Sequence, residues 1–358
     1  MRLNKQINKM KHTFQVLTLL FAFAISLNSC DTRVNLYADY KDIPIVYGLL
    51  DATQDTNYVK IVRAFSNNNE NPISATDIAL IADSSNYPGK LDARLIEIDR
   101  IYGNHYEPTG RVIVLDTMTL HHKDSGAFYY PNQKVYFTKE RLKTNSGSHD
   151  YKYRLQILKG DDTVTSVTGM VGGDRFKINN SSIGFDPNST IANKFTFIEA
   201  QNAFAYSARM RFEYTEEWPG HPLTQKSIEW PLGYFSVNDL ELVEGYSDPG
   251  HNIYGMAYRE NSLFTYLRNA IGSDTLNATR VMGNFYITLT AGGSELYNYI
   301  EVNSPSGSIS QNVPDYTNIN GGFGIFSSRV TIKKKVSLSS ATVRKLKGVS
   351  GWGFEQRD

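Results

Sequence analysis

The chain has 358 residues, with 37 Lys and Arg against 36 Asp and Glu, so no global field draws nucleic acid to it. Aromatics make up 12%, led by 23 Tyr and 18 Phe, with Gly, Asn, Ser and Thr between apolar runs, the usage of pleated strands joined by turns. A single Cys in the whole chain excludes an internal disulfide framework.

Arg2, Lys5, Lys9 and Lys11 precede an apolar run from Phe14 to Leu27. Fourteen helical residues rise roughly 21 Å, short of the ~30 Å hydrocarbon core, which predicts a cleaved export signal over 1–29 rather than a permanent span. Leu27-Asn28-Ser29-Cys30 closes the run and resembles a bacterial lipobox cleaved between Ser29 and Cys30, with Asn28 an unusual residue for its position. The resemblance implies three acyl chains at Cys30. One chain binds a bilayer marginally, at about 0.8 kcal/mol per CH₂, and three make a lasting anchor. With Cys30 consumed, no thiolate zinc site or cysteine nucleophile remains. Residues 30–41 read as a lipidated tether.

Strand patterns then follow in order at Ile43–Leu50, Tyr58–Phe65, Leu91–Ile101, Arg111–Leu115 and Lys134–Thr138. Over Tyr151–Leu158, Tyr151, Tyr153, Leu155 and Ile157 alternate with Lys152, Arg154 and Gln156. Gly160-Asp161-Asp162 turns the chain back into Thr163–Thr168. Phe195–Ile198 follows, and Ser207–Tyr214 alternates most strictly, with Ala208, Met210, Phe212 and Tyr214 inward. Ser227–Trp230, Asn284–Ala291 and Phe323–Val336 complete the strands.

Three helices interrupt the second half. Ser262 stands as the cap of one whose Leu263, Tyr266, Leu267, Ala270 and Ile271 form a single stripe ended by Gly272, and shorter ones span Ser294–Glu301 and Ser339–Lys347. The fold expectation is mainly β, as two β-sandwich-like domains of immunoglobulin or fibronectin type with a few short helices in the C-terminal half. The pattern breaks around Gly169–Asp174, giving an N-terminal domain over 42–173 and a C-terminal one over 174–358; an internal loop is the alternative.

Asn318-Ile319-Asn320-Gly321-Gly322-Phe323-Gly324-Ile325-Phe326 resembles the closing motif of a family of Bacteroidota outer-membrane lipoproteins built on a domain of unknown function. Ile45-Val46-Tyr47-Gly48-Leu49-Leu50 is similar to that family's first strand. Physically, Gly321, Gly322 and Gly324 read as positions needing positive φ or close backbone approach. Members are often encoded beside TonB-dependent transporters, so the resemblance implies an outer-membrane lipoprotein with such a barrel as partner and carries no catalytic residues. Surface-displayed lipoproteins of this phylum commonly bear an acidic run after the acylated Cys. Here only Asp31 is acidic in Asp31-Thr32-Arg33-Val34, which does not decide between surface and periplasmic faces. Thr117, Thr163 and Thr275, each after Asp and before an apolar residue, resemble the short O-glycosylation acceptor of these bacteria; an ordinary hydroxyl on a strand edge or turn is the alternative.

No other motif carries chemistry. His121-His122 lie between Asp116 and Asp124, but adjacent strand residues point to opposite faces, and no zinc, phosphate-loop or nucleophile-elbow signature occurs, so neither metal nor cofactor is expected. Glu216-Glu217-Trp218 suggests a glycan-acting hydrolase only if a second carboxylate faces it ~5 to 9.5 Å away; otherwise it is a solvated strand end before Pro219-Gly220. Trp218 and Trp230 offer aromatic binding surface, and Lys333-Lys334-Lys335 reads as an edge-strand guard or a contact for anionic lipid. The expectation is a non-enzymatic, lipid-anchored envelope protein acting in binding or as an accessory subunit. A glycan hydrolase and a structural or adhesive surface protein are the alternatives.

Overall fold

The structure, a computed structural model, describes residues 42–64, 85–121, 124, 132–186, 193–243, 250–271, 278–303 and 316–356. The first strands are β1 (Pro44–Leu50), β2 (Asn57–Arg63), β3 (Asp92–Tyr102), β4 (His105–Val114), β5 (Asp116–Leu120), β6 (Gln133–Thr138), β7 (Lys152–Lys159) and β8 (Asp162–Gly169). Next come β9 (Lys177–Ile178), β10 (Ser182–Ile183), β11 (Asn193–Ile198), β12 (Ala205–Glu217), β13 (Thr224–Ser236), β14 (Glu241–Leu242) and β15 (Ile253–Tyr258). The remainder alternates: α1 (Ser262–Ile271), β16 (Thr279–Gly292), α2 (Ser294–Asn303), β17 (Phe323–Leu338), α3 (Ser340–Gly348) and β18 (Phe354–Glu355).

These strands form three sheets, the largest running β13-β12-β16-β17-β1-β2-β6-β5 with β10 and β18 attached. Its β1-β2-β6 end packs against the sheet β4-β3-β7-β8 around Val46, Val59, Leu95, Tyr153, Leu155 and Phe326. Its β13-β12-β16-β17 end packs against the sheet β14-β15-β11-β9 and α1 around Phe195, Met210, Phe212, Trp230, Leu263 and Phe285. The protein is mainly β, as the pattern predicts. Each core is sandwich-like, and one sheet supplies a layer to both.

The strict alternations fold as read. Tyr153, Leu155 and Ile157 on β7 are buried, as are Ala208, Met210, Phe212 and Tyr214 on β12. Gly160, at φ +58, turns β7 into β8 through a two-residue hairpin closed by the pair Lys159 and Asp162. Arg111–Leu115 proves to be the end of a longer strand, β4, which pairs only with β3 in its sheet and so tolerates Pro108, whose missing N–H weakens no second ladder. On β13, the outermost strand of the large sheet, Pro231 lies beside the register shift opposite Ala208 and Arg209.

The chain passes from one core to the other at Met170 and Val171. The return is made by β17. Phe323–Ser328 pair in parallel with β1, and Arg329–Val336 pair antiparallel with β16. At the handover, Ser328 Oγ donates to the Gly169 carbonyl at 2.5 Å and accepts from Val171 N–H at 2.9 Å. The N-terminal core thus includes Ile319 and Phe326 from the far end of the chain, so segment 42–173 does not complete it alone.

Two local expectations need correction. Ser262 does not cap α1: it is the first helical residue, and its hydroxyl donates to the Arg259 carbonyl at 2.8 Å. Leu263, Leu267 and Ile271 turn inward with Phe264, while Tyr266 and Ala270 lie on the exposed side. Lys333, Lys334 and Lys335 pair with Thr288, Ile287 and Tyr286 of β16, whereas β1 pairs only with Phe323–Ser328 and β10 only with Ser337 and Leu338, so among the described residues the lysines lie on a locally free edge of β17; Lys334 donates to the Ile178 carbonyl at 2.8 Å and Lys333 sits 4.0 Å from the Tyr286 ring centroid. Ser339 precedes α3 as its cap, accepting from Thr342 N–H. Among the described residues no helix is long and apolar enough to cross a membrane.

Candidate functional site

A cleft of about 750 Å³ opens where β13, β15 and α1 meet. Its position follows from the helix. Burying Leu263, Leu267 and Ile271 leaves Ser262, Thr265, Tyr266 and Asn269, at helical spacing, as a second face lining the cleft. Trp230 and Leu232 of β13 and Tyr258 of β15 form the opposite side. Tyr266 stacks on Trp230 at 5.3 Å and 15°. Trp230 is 1% exposed and wedged edge-on against Phe185 and Phe285, so the indole is a fixed support. Its Nε1 has no hydrogen-bond partner among the described residues. Arg259, Asn261 and Asn269 add a guanidinium and two amides to the lining.

The sequence pointed to Trp230 as aromatic surface but assigned Tyr266 to the core stripe of α1. The recurrence of Ser262, Thr265, Tyr266 and Asn269 is the signal that distinguishes a second helix face.

The residues suspected of chemistry are committed elsewhere. Glu216 is not a solvated strand end. Its Oε1 accepts from Trp218 Nε1 at 3.0 Å, and its Oε2 accepts from Arg280 Nε at 2.8 Å, with Arg280 fully buried and also donating to the Trp352 carbonyl. Burial pushes the Glu216 carboxyl up, but Trp218 and Arg280 outweigh it and hold it below the usual range. His121 Nδ1 lies 2.9 Å from Asn132 Oδ1, and no cluster of three or more metal-type ligands occurs among the described residues.

A second charged cluster, which sequence reading missed, lies along β3. Ala93, Leu95, Glu97 and Asp99 share its inward face. Glu97 is fully buried and accepts from Lys143 at 2.7 Å and from Arg111, Thr109 and Tyr153 at 3.0 Å each. Burial raises its carboxyl, and these four donors together bring it below the ordinary carboxylate value. Asp99 Oδ2 sits 2.5 Å from His149 Nδ1, and Tyr106 donates to Asp150 at 2.6 Å, with burial and then that bond pushing the phenol up to about 12. Every Glu97 oxygen is occupied, so the cluster holds strands together rather than presenting a free acid or base.

The glycine-rich motif is brought against the first strand. Ile45 pairs with Phe323, Val46 with Gly324, Tyr47 with Ile325 and Gly48 with Phe326. Gly321 and Gly324 have φ of +84 and +109, and a Cβ on Gly322 would stand 2.5 Å from the Pro44 carbonyl oxygen. Asn318 and Asn320 tie the segment to β8: Ser166 Oγ donates to the Asn318 carbonyl, and Thr165 and Asn320 exchange backbone bonds. Thr163 is exposed beside the β7–β8 hairpin, and Thr117 is half-buried on β5. Ser29, Cys30, His122 and Thr275 lie outside the described residues. Comparison of the sequence with protein-family models and with curated proteins finds no match.

Proposed function

We propose that the chain is an outer-membrane lipoprotein, anchored through Cys30, whose β-rich body acts by binding as an accessory subunit of an envelope complex. A TonB-dependent transporter is the proposed partner class. The observation that carries this reading is the placement of the sole cysteine at the end of Leu27-Asn28-Ser29-Cys30, directly after the apolar run. Support for binding comes from the cleft at α1, whose aromatic platform and amide lining suit recognition, while Glu97, Glu216 and Arg280 are spent on internal ion pairs.

The test is fractionation of cells expressing the wild type and Cys30→Ala, combined with acyl labelling and purification in mild detergent at native expression. The wild type should be labelled, membrane-bound and recovered with a stoichiometric barrel protein, and the variant should be unlabelled and released. Unchanged membrane retention of Cys30→Ala, or recovery of the wild type alone, overturns the corresponding half of the proposal.

A further inference from the structure

We infer that the cleft between β13, β15 and α1 is a saccharide-binding site, with Tyr266 as the platform on which a sugar ring stacks. A pyranose presents one flat face of C–H groups and an edge of hydroxyls, each able to donate and accept. The cleft answers both demands. Tyr266 offers an aromatic face, 38% exposed, whose far side is held parallel to the buried Trp230, so the platform is set before any ligand arrives. Around it, Asn261 and Asn269 supply amides that donate and accept, Thr265 a hydroxyl, and Arg259 a planar fork of donors suited to neighbouring oxygens.

The remaining lining narrows the class. None of the described lining residues is acidic, so no carboxylate in the lining pairs with a cation or an amine. The amide-rich rim leaves polar groups unmatched against a purely apolar ligand, which disfavours a lipid tail. The single Arg259 charge accommodates a neutral sugar or one bearing a carboxylate. The cleft's volume of about 750 Å³ falls within the range of small-molecule sites.

This inference deepens the binding role proposed above and is independent of Cys30. The full chain in a detergent without a sugar headgroup is probed by saturation-transfer NMR with glucose, N-acetylglucosamine, galactose and galacturonate, and with benzoate and inorganic phosphate as controls. Expected is transfer to sugar ring protons, lost at least tenfold in Tyr266→Ala, kept in Tyr266→Phe and weakened in Asn269→Ala, with unfolding midpoints unchanged. Absence of transfer to all four sugars, or transfer indifferent to Tyr266→Ala, overturns the site, and response to benzoate or phosphate alone reassigns it to an anion and overturns the saccharide class. Should Tyr266→Ala fail to fold, Asn269→Ala and Thr265→Val decide by the same criterion. None of these outcomes bears on membrane anchoring, which Cys30→Ala tests separately.

Discussion

Asn318 bonds both backbone groups of Phe326 through its side chain, Nδ2 donating to the carbonyl at 2.6 Å and Oδ1 accepting from the N–H at 2.9 Å. The amide thus serves a strand residue as another strand's backbone would. It does so where Phe326, fully buried, contributes to the N-terminal core.

Replacing Asn318 by Ala leaves a donor and an acceptor of a buried strand unmatched. We expect a loss of about 2–6 kcal/mol in urea unfolding, from two groups costing about 1–3 kcal/mol each. Asn318→Asp, which accepts but cannot donate, should fall between. A midpoint within error of the wild type for Asn318→Ala would show that Phe326 finds other partners.

Gly324 is held by the same pairing. Its φ of +109 and a Cβ position 2.0 Å from the Val46 carbonyl oxygen forbid any side chain without parting β1 from β17. Gly324→Ala should cost at least about 3 kcal/mol, since backbone strain alone contributes about 1–3. Gly89→Ala, where nothing lies within 4 Å, should stay within about 0.5 kcal/mol. Thermal unfolding of the two variants side by side checks this.

Glu97 should make stability acid-sensitive. Its folded carboxyl lies below its ordinary value of 4.5, so its contribution is complete above that pH and is lost as pH falls through the folded value. Glu97→Gln should be less stable than the wild type near neutrality and show a shallower decline below pH 4.5. Parallel slopes for the two proteins would exclude Glu97 as a source of the acid response.

Arg280→Met removes the buried partner of Glu216. The expected loss is about 3–5 kcal/mol, because the carboxylate keeps its desolvation without its counter-charge. Glu216→Gln should destabilise to a similar degree, leaving the guanidinium uncompensated. A Glu216→Gln protein of unchanged stability would free that carboxylate for a role beyond the ion pair.

The sequence made the strands of β7, β8 and β12 legible, because period-two alternation is a local property and each of those strands buries one face. It also marked Gly321 and Gly324 as positions requiring unusual backbone, since a glycine cluster before a buried strand has few other uses. It misassigned Tyr266, because an aromatic beside Leu263 and Leu267 satisfies the same periodicity whether it closes the core or borders a cleft. It also missed Glu97, a carboxylate at an inward position whose four donors arrive from β4, β7 and the segment before β7.

By itself the sequence determined the β-rich class, the inward faces and the single cysteine after an apolar run, all of which rest on neighbours along the chain. Only the tertiary structure decided that Ile45–Leu50 pairs with Phe323–Ser328, that β17 serves two cores, and that Glu216 belongs to Arg280. Partners so far apart in the chain leave no mark on local periodicity. Their match is set by register, close backbone approach and the need to pair a buried charge, and these exist only once the sheets have formed.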